Sequence, residues 1–375
     1  MSKYSSVIGL DVHARSVSAC AVVIETGEVV KATFVGTNPA QEIAEWANDH
    51  LPGPWHAAYE SGCTGFSLAR GLKSLGIHCD VIAISTLAKS PKSRQSKTDA
   101  ADAADIAYEL LKPVRGYSCV WIPDERTESV RALLRLRYRI ADDVKAAKNA
   151  ISSFLLLRGR CWNKRSPKTG KLKRTWGKEY RQWLASMSFD EVADQMTYDH
   201  LMRLLASVEA ELAAVQSDID GLCKDPHWKP YVDALSAVKG ISKTAALAVA
   251  AEIGDFSRFK TGRSLSCWLG TVPRENSSGM RHALGSITKA GPGVLRKVLT
   301  EGCAPIACWR AARPGSRELA PFPTAQKANA RLLSKYRRLT QKRGLHPNKA
   351  RIAVVSEMIR WLWVIGLDVQ KQKSA

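Results

Sequence analysis

The chain has 375 residues, 45% of them apolar, and carries 56 lysines and arginines against 35 aspartates and glutamates, a formal charge of +21. Such a length supports two or three domains with cores of their own and excludes a disordered tail. The charge points to a polyanion, nucleic acid first, because neither an amphipathic membrane helix nor a lipidation signal accompanies it.

The first residues, MSKYSSVIGLDVHA, lack the apolar core of a signal peptide, and no run approaches eighteen apolar residues. A soluble intracellular protein with no membrane partner is expected. The nine cysteines (20, 63, 79, 119, 161, 223, 267, 303 and 308) are scattered and never form CxxC pairs near histidines. This argues against both a disulfide framework and a zinc site, and most are expected to be buried small hydrophobes in a reducing compartment.

Residues 5 to 122 alternate strand-like and helix-like patterns. SVIGLD, SVSACAVVI and EVVKATFVG read as three strands, the last two joined by a hairpin at Thr26-Gly27, and HAAYE as a fourth. A helix around Gly65 to Leu75, a strand at CDVIAI and a helix from about Thr98 to Leu111 complete the series. This is the order of a ribonuclease H-like α/β domain, expected over residues 1–123.

From Asp124 the pattern turns long and helical, and ESVRALLRLRYRIADDVKAAKNAISSFLLLRG spans about eight or nine turns. A coiled-coil spacer or dimerisation arm is expected over 124–226. It is interrupted by Arg158 to Trp183, where ten Lys/Arg face one Glu and three tryptophans are interleaved. Two readings stay open: a solvated basic loop, or a nucleic-acid contact in which Lys164, Arg165, Lys171, Lys173 and Arg174 meet phosphates and indoles such as Trp176 stack on unpaired bases.

The region 227–375 is expected to be mostly α-helical. ALSAVKGISKTAALAVAAEIGDFSRF reads as a helix-hairpin-helix, able to hold a phosphate at its turn and second-helix N-terminus, with Lys239 and Lys243 nearby. Trp361 and Trp363 near the C-terminus are expected to pack in a core.

The acids carry the chemistry. Asp11 and Glu60 each end an apolar strand, where a side chain can face the sheet rim. Asp99, Asp102 and Asp105 open a helix at three-residue steps; each step turns the side chain by about 300°, so neighbours diverge by about 60° and the ends by about 120°. Two of the three can converge on one point. Capping and the helix dipole account for one or two of these aspartates, but not for Asp11 or Glu60. Four carboxylates from three segments form a hard-oxygen site suited to Mg²⁺, and the neighbouring alanines are expected to let a nucleic-acid backbone approach.

GLDVHARSVSACAV, YESGCTGF and SKTDAADAADIA resemble the three acidic motifs of the DEDD-type transposases of the insertion-sequence-110 family, which includes the Piv-type invertases and has a RuvC-like N-terminal domain. The resemblance assigns Asp11, Glu60, Asp99 and Asp102 as Mg²⁺ ligands and makes Asp105 a surplus acid, turned away. A second hallmark, LGTVPRENSSGMRHALGSITKAG from Leu269 to Gly291, implies a catalytic serine, Ser278 before Gly279 or its neighbour Ser277, with Lys289 beside the bound strand.

The resemblance further implies a transposase that cleaves and rejoins element-end and target DNA through a phosphoserine link. It also implies a guide noncoding (bridge) RNA and a dimeric or tetrameric homo-oligomer in the bacterial cytoplasm, at the nucleoid. Rival readings are a RuvC-like nuclease using water and a non-enzymatic architectural DNA binder. A sugar-kinase or actin-like ATPase fits poorly, because Val12-His13-Ala14 succeeds Asp11 where such proteins place glycine and hydroxyl residues.

Overall fold

In the computed structural model, which describes residues 3–84, 99–114, 116–173, 175–275, 284–309 and 322–374, the chain forms two units, Met1–Pro123 and Asp124–Ala375. The first unit is built on five strands: β1 (Ser6–Val12), β2 (Val17–Val23), β3 (Val29–Phe34), β4 (Trp55–Glu60) and β5 (His78–Ile82). They lie in the order β3-β2-β1-β4-β5, with β1, β2 and β3 antiparallel and β1, β4 and β5 parallel. This is the ribonuclease H-like arrangement that the element order predicts. The expected hairpin is present, with the Gly27 amide donating to Val23 O and the Glu28 amide to Thr26 Oγ1.

Helix α1 (Pro39–His50), between β3 and β4, is additional to the expected elements, although Pro39 at its start and the spacing of Ala40, Ile43 and Ala47 signal it. Together with α2 (Ser67–Ser74) it covers one face of the sheet, where Ile43, Leu68 and Leu72 meet Ile8, Leu10, Ala57 and Tyr59. Helix α3 (Asp99–Leu110) covers the other, where Ala103 and Ala107 meet Val7, Cys20 and Val22, and Ile106 meets Ala58 and Ile82.

The second unit opens with α4 (Glu125–Leu157), capped by Asp124, whose Oδ1 accepts from the Thr127 amide at 2.6 Å. Its 33 residues span about 50 Å. After α5 (Lys178–Ala185), helix α6 (Val192–Leu222) runs back along it. A ladder of side-chain bonds sets the antiparallel register: Arg158 to Asp194, Lys148 to Glu209, Arg137 to Gln216 and Arg126 to Asp225.

The lower part of this pair is welded to the C-terminal helices. Val130, Leu134, Ile140, Val215 and Ile219 share one core with α7 (Lys229–Ser236), α8 (Lys243–Ile253), α10 (Gly293–Cys303), α11 (Pro323–Arg337) and α12 (Pro347–Ser374). The expected boundary at 226/227 therefore falls inside the second unit. Trp361 and Trp363 pack against this core, and Trp363 Nε1 donates to Phe256 O. Short α9 (Gly262–Trp268) precedes a two-stranded ribbon, β6 (Pro273–Glu275) and β7 (Leu284–Ile287).

The cysteines depart from expectation. Only Cys20, Cys223 and Cys303 are buried; Cys63, Cys119, Cys161, Cys267 and Cys308 are exposed, as none of these five lies on an element's core-facing stripe. No helix among the described residues is long and apolar enough to cross a membrane.

Candidate active site

Strand alternation builds the acidic site. Val7 and Gly9 of β1 face α3, so Asp11, two residues on, takes the same face; on β4 the same argument carries from Ala58 to Glu60. The parallel register aligns Gly9 with Ala58 and Leu10 with Tyr59, which makes Asp11 and Glu60 next in line on adjacent strands. Both are half-buried. Asp11 Oδ2 lies 3.0 Å from His13 Nε2. His13, the residue after the end of β1, is a site neighbour that residue types alone do not single out.

The third contributor is α3. A Cβ placed on Gly9 would lie 2.0 Å from Ala103 O and 2.5 Å from the Ala107 nitrogen, so the helix backbone rests directly on β1 two residues before Asp11. The expectation that the alanines admit a nucleic-acid backbone fails for Ala103, while Ala101 and Ala104 are half-buried. Ala103 and Ala107 are fully buried, and their small side chains seat the helix on the strand rather than admitting a nucleic-acid backbone. Asp99 is the first residue of α3, and Asp102 is half-buried in its first turn.

Asp105, expected as the surplus acid turned away on the helix, is half-buried one turn from Asp102. Its Oδ2 is buried without a hydrogen-bond partner among the described residues. One turn further on, buried Glu109 accepts from Lys112 and lies against Gly116.

Ser277, Ser278 and Arg174 lie outside the described residues. The frame around the serines is described, however. A Cβ on Gly270 (φ +66°) would lie 2.2 Å from the Ala290 nitrogen, and one on Gly291 (φ +65°) 2.1 Å from Trp268 O. The amides of Thr288 and Lys289 donate to Val272 O and Gly270 O, while Arg296 binds the carbonyls of Leu269, Ala290 and Gly291. The glycines of the second hallmark thus clasp the two ends of the segment 271–290, and β6 and β7 lead into 276–283. Beside this clasp is a cavity of about 410 Å³ bounded by Thr271, Ile287, Lys289, Arg296, Lys297 and Thr300.

The other cationic candidates divide. Lys164, Arg165 and Lys171 are exposed, but Lys164 and Lys173 both pair with Glu179, at 3.0 and 2.6 Å. Trp176 is half-buried beside Tyr180 with the Lys148 ammonium over its ring, and Trp162 and Trp183 pack on the same tyrosine. These indoles form a small core under the basic segment. In the α7–α8 turn Lys243 is exposed, whereas the Lys239 amide donates to Asn329 Oδ1 at 2.8 Å.

Residues 8–158 match the DEDD transposase model of the insertion-sequence-110 group, and residues 232–319 match the model described as the transposase IS116/IS110/IS902 family. A relative from Sinorhizobium fredii, named as a transposase, is 32% identical over 98% of this chain and 90% of its own length. The chain belongs to the IS110 family of DEDD transposases. The transposase for insertion sequence element IS1533 of Leptospira borgpetersenii is 26% identical over 90% of this chain and 97% of its own length. A family 20 transposase of Pseudomonas aeruginosa is 37% identical over 27% of the chain. As an IS110-family transposase the protein is a DNA-acting enzyme, and its N-terminal domain is of the divalent-metal-dependent DEDD type.

Proposed function

We propose that the protein moves its own insertion sequence by cutting and rejoining DNA strands through a transient phosphoserine link. The observation that carries this reading is the alignment of Asp11 with Glu60 beneath α3, whose first turn bears Asp99 and Asp102. An all-oxygen donor set from three elements suits Mg²⁺, which when bound would neutralise charge on the scissile phosphate.

The chain's own residues perform the exchange. Ser278 Oγ, or Ser277 Oγ, bonds to phosphorus as the bond to the leaving deoxyribose oxygen breaks; the serine loses its proton and the leaving oxygen gains one. One phosphoester replaces another, so the strand can be resealed to a new partner without ATP. Lys289, Lys243, Lys239 and the exposed cations of the basic segment hold backbone phosphates. The acids belong to one unit and the serines to the other, which suits a composite site shared between subunits of a homo-oligomer. A structured noncoding RNA that pairs with donor and target would supply the sequence choice that a strongly basic chain lacks by itself. The cytoplasm, at the nucleoid, is where such a substrate lies.

The test is a denaturing assay for protein joined covalently to labelled element-end DNA, with Mg²⁺ and the flanking-region RNA. Wild type, Ser277→Ala and Ser278→Ala are compared. An adduct that disappears in one variant supports the reading and identifies the nucleophile. Mg²⁺-dependent cleavage without adduct in all three points to water as nucleophile. Binding that survives chelation with no cleavage leaves only an architectural role.

A further inference from the structure

At the opposite end of the same sheet face lies a second group of ligand-bearing side chains. His56 is the second residue of β4, and His78 and Asp80 sit on β5; alternation puts all three on the side of α3, in line with Ala58 and Ile82. His56 Nε2 is 3.1 Å from Asp80 Oδ2, His78 Nε2 is 3.6 Å from Asp80 Oδ1, and one ligand atom from each residue lies within 4.8 Å of the others. Two of the three are nearly buried, with side-chain exposures of 12% for His56 and 13% for Asp80.

We propose that His56, His78 and Asp80 bind a single divalent d-block ion of the zinc class. Zinc holds imidazole nitrogen and carboxylate oxygen at about 2.0–2.2 Å in a tetrahedron, which puts its ligand atoms about 3.3 Å apart. The two histidines now engage different oxygens of Asp80, at 3.1 and 3.6 Å, so binding one ion requires a rotation of the carboxylate and closure of the imidazoles, within a cluster whose ligand atoms already lie within 4.8 Å of one another. Two imidazoles and one carboxylate select zinc, cobalt or nickel over magnesium, which prefers oxygen donors and water.

The surroundings resemble those that fix metal ligands. The Tyr117 hydroxyl, on a residue only 7% exposed, donates to Asp80 Oδ2 at 3.3 Å and orients the carboxylate. The Tyr4 ring lies 4.8 Å from the His56 ring and 5.8 Å from that of His78, holding both imidazoles. His56 precedes Glu60 by four residues, or about 13 Å along the strand. Paired catalytic ions stand only about 3.5–4 Å apart, so this ion is distinct from any held by the acids. The cysteine spacing gives no hint of it, since the ligands are two histidines on neighbouring strands and an aspartate one side chain further on.

Full-length protein stripped with EDTA is titrated with Co²⁺ in excess Mg²⁺, which keeps the all-oxygen carboxylate site occupied. One equivalent of Co²⁺ with the visible absorption of a four-coordinate, nitrogen-ligated ion is expected, displaced by Zn²⁺. His78, half exposed, can be removed without opening the core; His78→Ala, with unaltered far-UV circular dichroism, is expected to bind at least about tenfold more weakly. Wild type that takes up no stoichiometric Co²⁺, or His78→Ala that binds as wild type does, overturns the proposal.

Discussion

Gly9 and Ala103 meet backbone to backbone: a Cβ on Gly9 would stand 2.0 Å from the Ala103 carbonyl oxygen. This close approach sets the height of α3 above β1, and with it the position of the aspartates in the helix's first turn.

Gly9→Ala is therefore expected to cost about 1–3 kcal/mol by overpacking and to lower strand cleavage, although Gly9 ligates nothing. Thermal unfolding and a cleavage assay read the two effects. An unchanged melting temperature would mean that the helix does not rest on the strand.

Asp11→Ala is expected to abolish strand exchange while leaving the melting temperature equal or higher, because one of several neighbouring anions is removed. Nucleic-acid binding should persist. Recombination at the wild-type rate would remove Asp11 from the mechanism.

The salt bridge between α4 and α8 makes a separate prediction. Glu252 is 7% exposed at its side chain and is gripped by Arg135 at 2.9 and 3.1 Å, while Arg131 binds the carbonyls of Ala251 and Glu252. Arg135→Met removes both hydrogen bonds from a buried carboxylate and, because the guanidinium is itself 58% exposed, is expected to cost about 1–3 kcal/mol. Adding Glu252→Gln should restore much of it, as read by denaturant unfolding of both variants.

Glu209 supplies a pH dependence. The Arg181 hydrogen bonds, helped by Lys148, hold its carboxyl down to about 2 from an ordinary 4.5. The folded value lies below the unfolded one, so its stabilisation is complete above about pH 4.5 and disappears as pH falls toward about 2. Glu209→Gln should be less stable than wild type at pH 7, with the gap narrowing over that window in denaturation curves. A gap that does not change with pH would contradict the pairing.

In the basic segment, exposed Lys168 and Lys171 should govern nucleic-acid affinity more than Lys173, which is engaged with Glu179. Removing one lysine–phosphate pairing should reduce the slope of log K against log salt by about 0.7–0.9. Equal slopes for Lys168→Ala/Lys171→Ala and wild type would leave the segment a solvated loop.

Much of the first unit is legible in the sequence because its signals are local. Alternation marks β1 and β4, and their terminal acids stand out against apolar runs. Helix α1 is harder to see against the neighbouring strands, although Pro39 and a helical apolar spacing announce it. The role of Ala103 and Ala107 is not legible, because what requires them is Gly9, some ninety residues earlier. The same holds for Trp162, Trp176 and Trp183: interleaved with cations they suggest base stacking, yet Tyr180 gathers all three. His56, His78 and Asp80 come from two strands whose pairing no spacing rule announces. The second hallmark reads as a serine motif, while its glycines prove to be there for the clasp between 270 and 291.

The ladder between α4 and α6 has a consequence for how this fold can change. Arg126 and Asp225 face each other at its foot, so the chain between them leaves and returns at one place. Above the shared core, the upper reach has an interior of its own around Phe154, Tyr180 and Tyr198. Matched deletions or insertions of whole turns in the two helices between those cores would alter the reach of the basic tip without disturbing the welded base. Arm length is thus a quantity that mutation can vary independently of the chemistry.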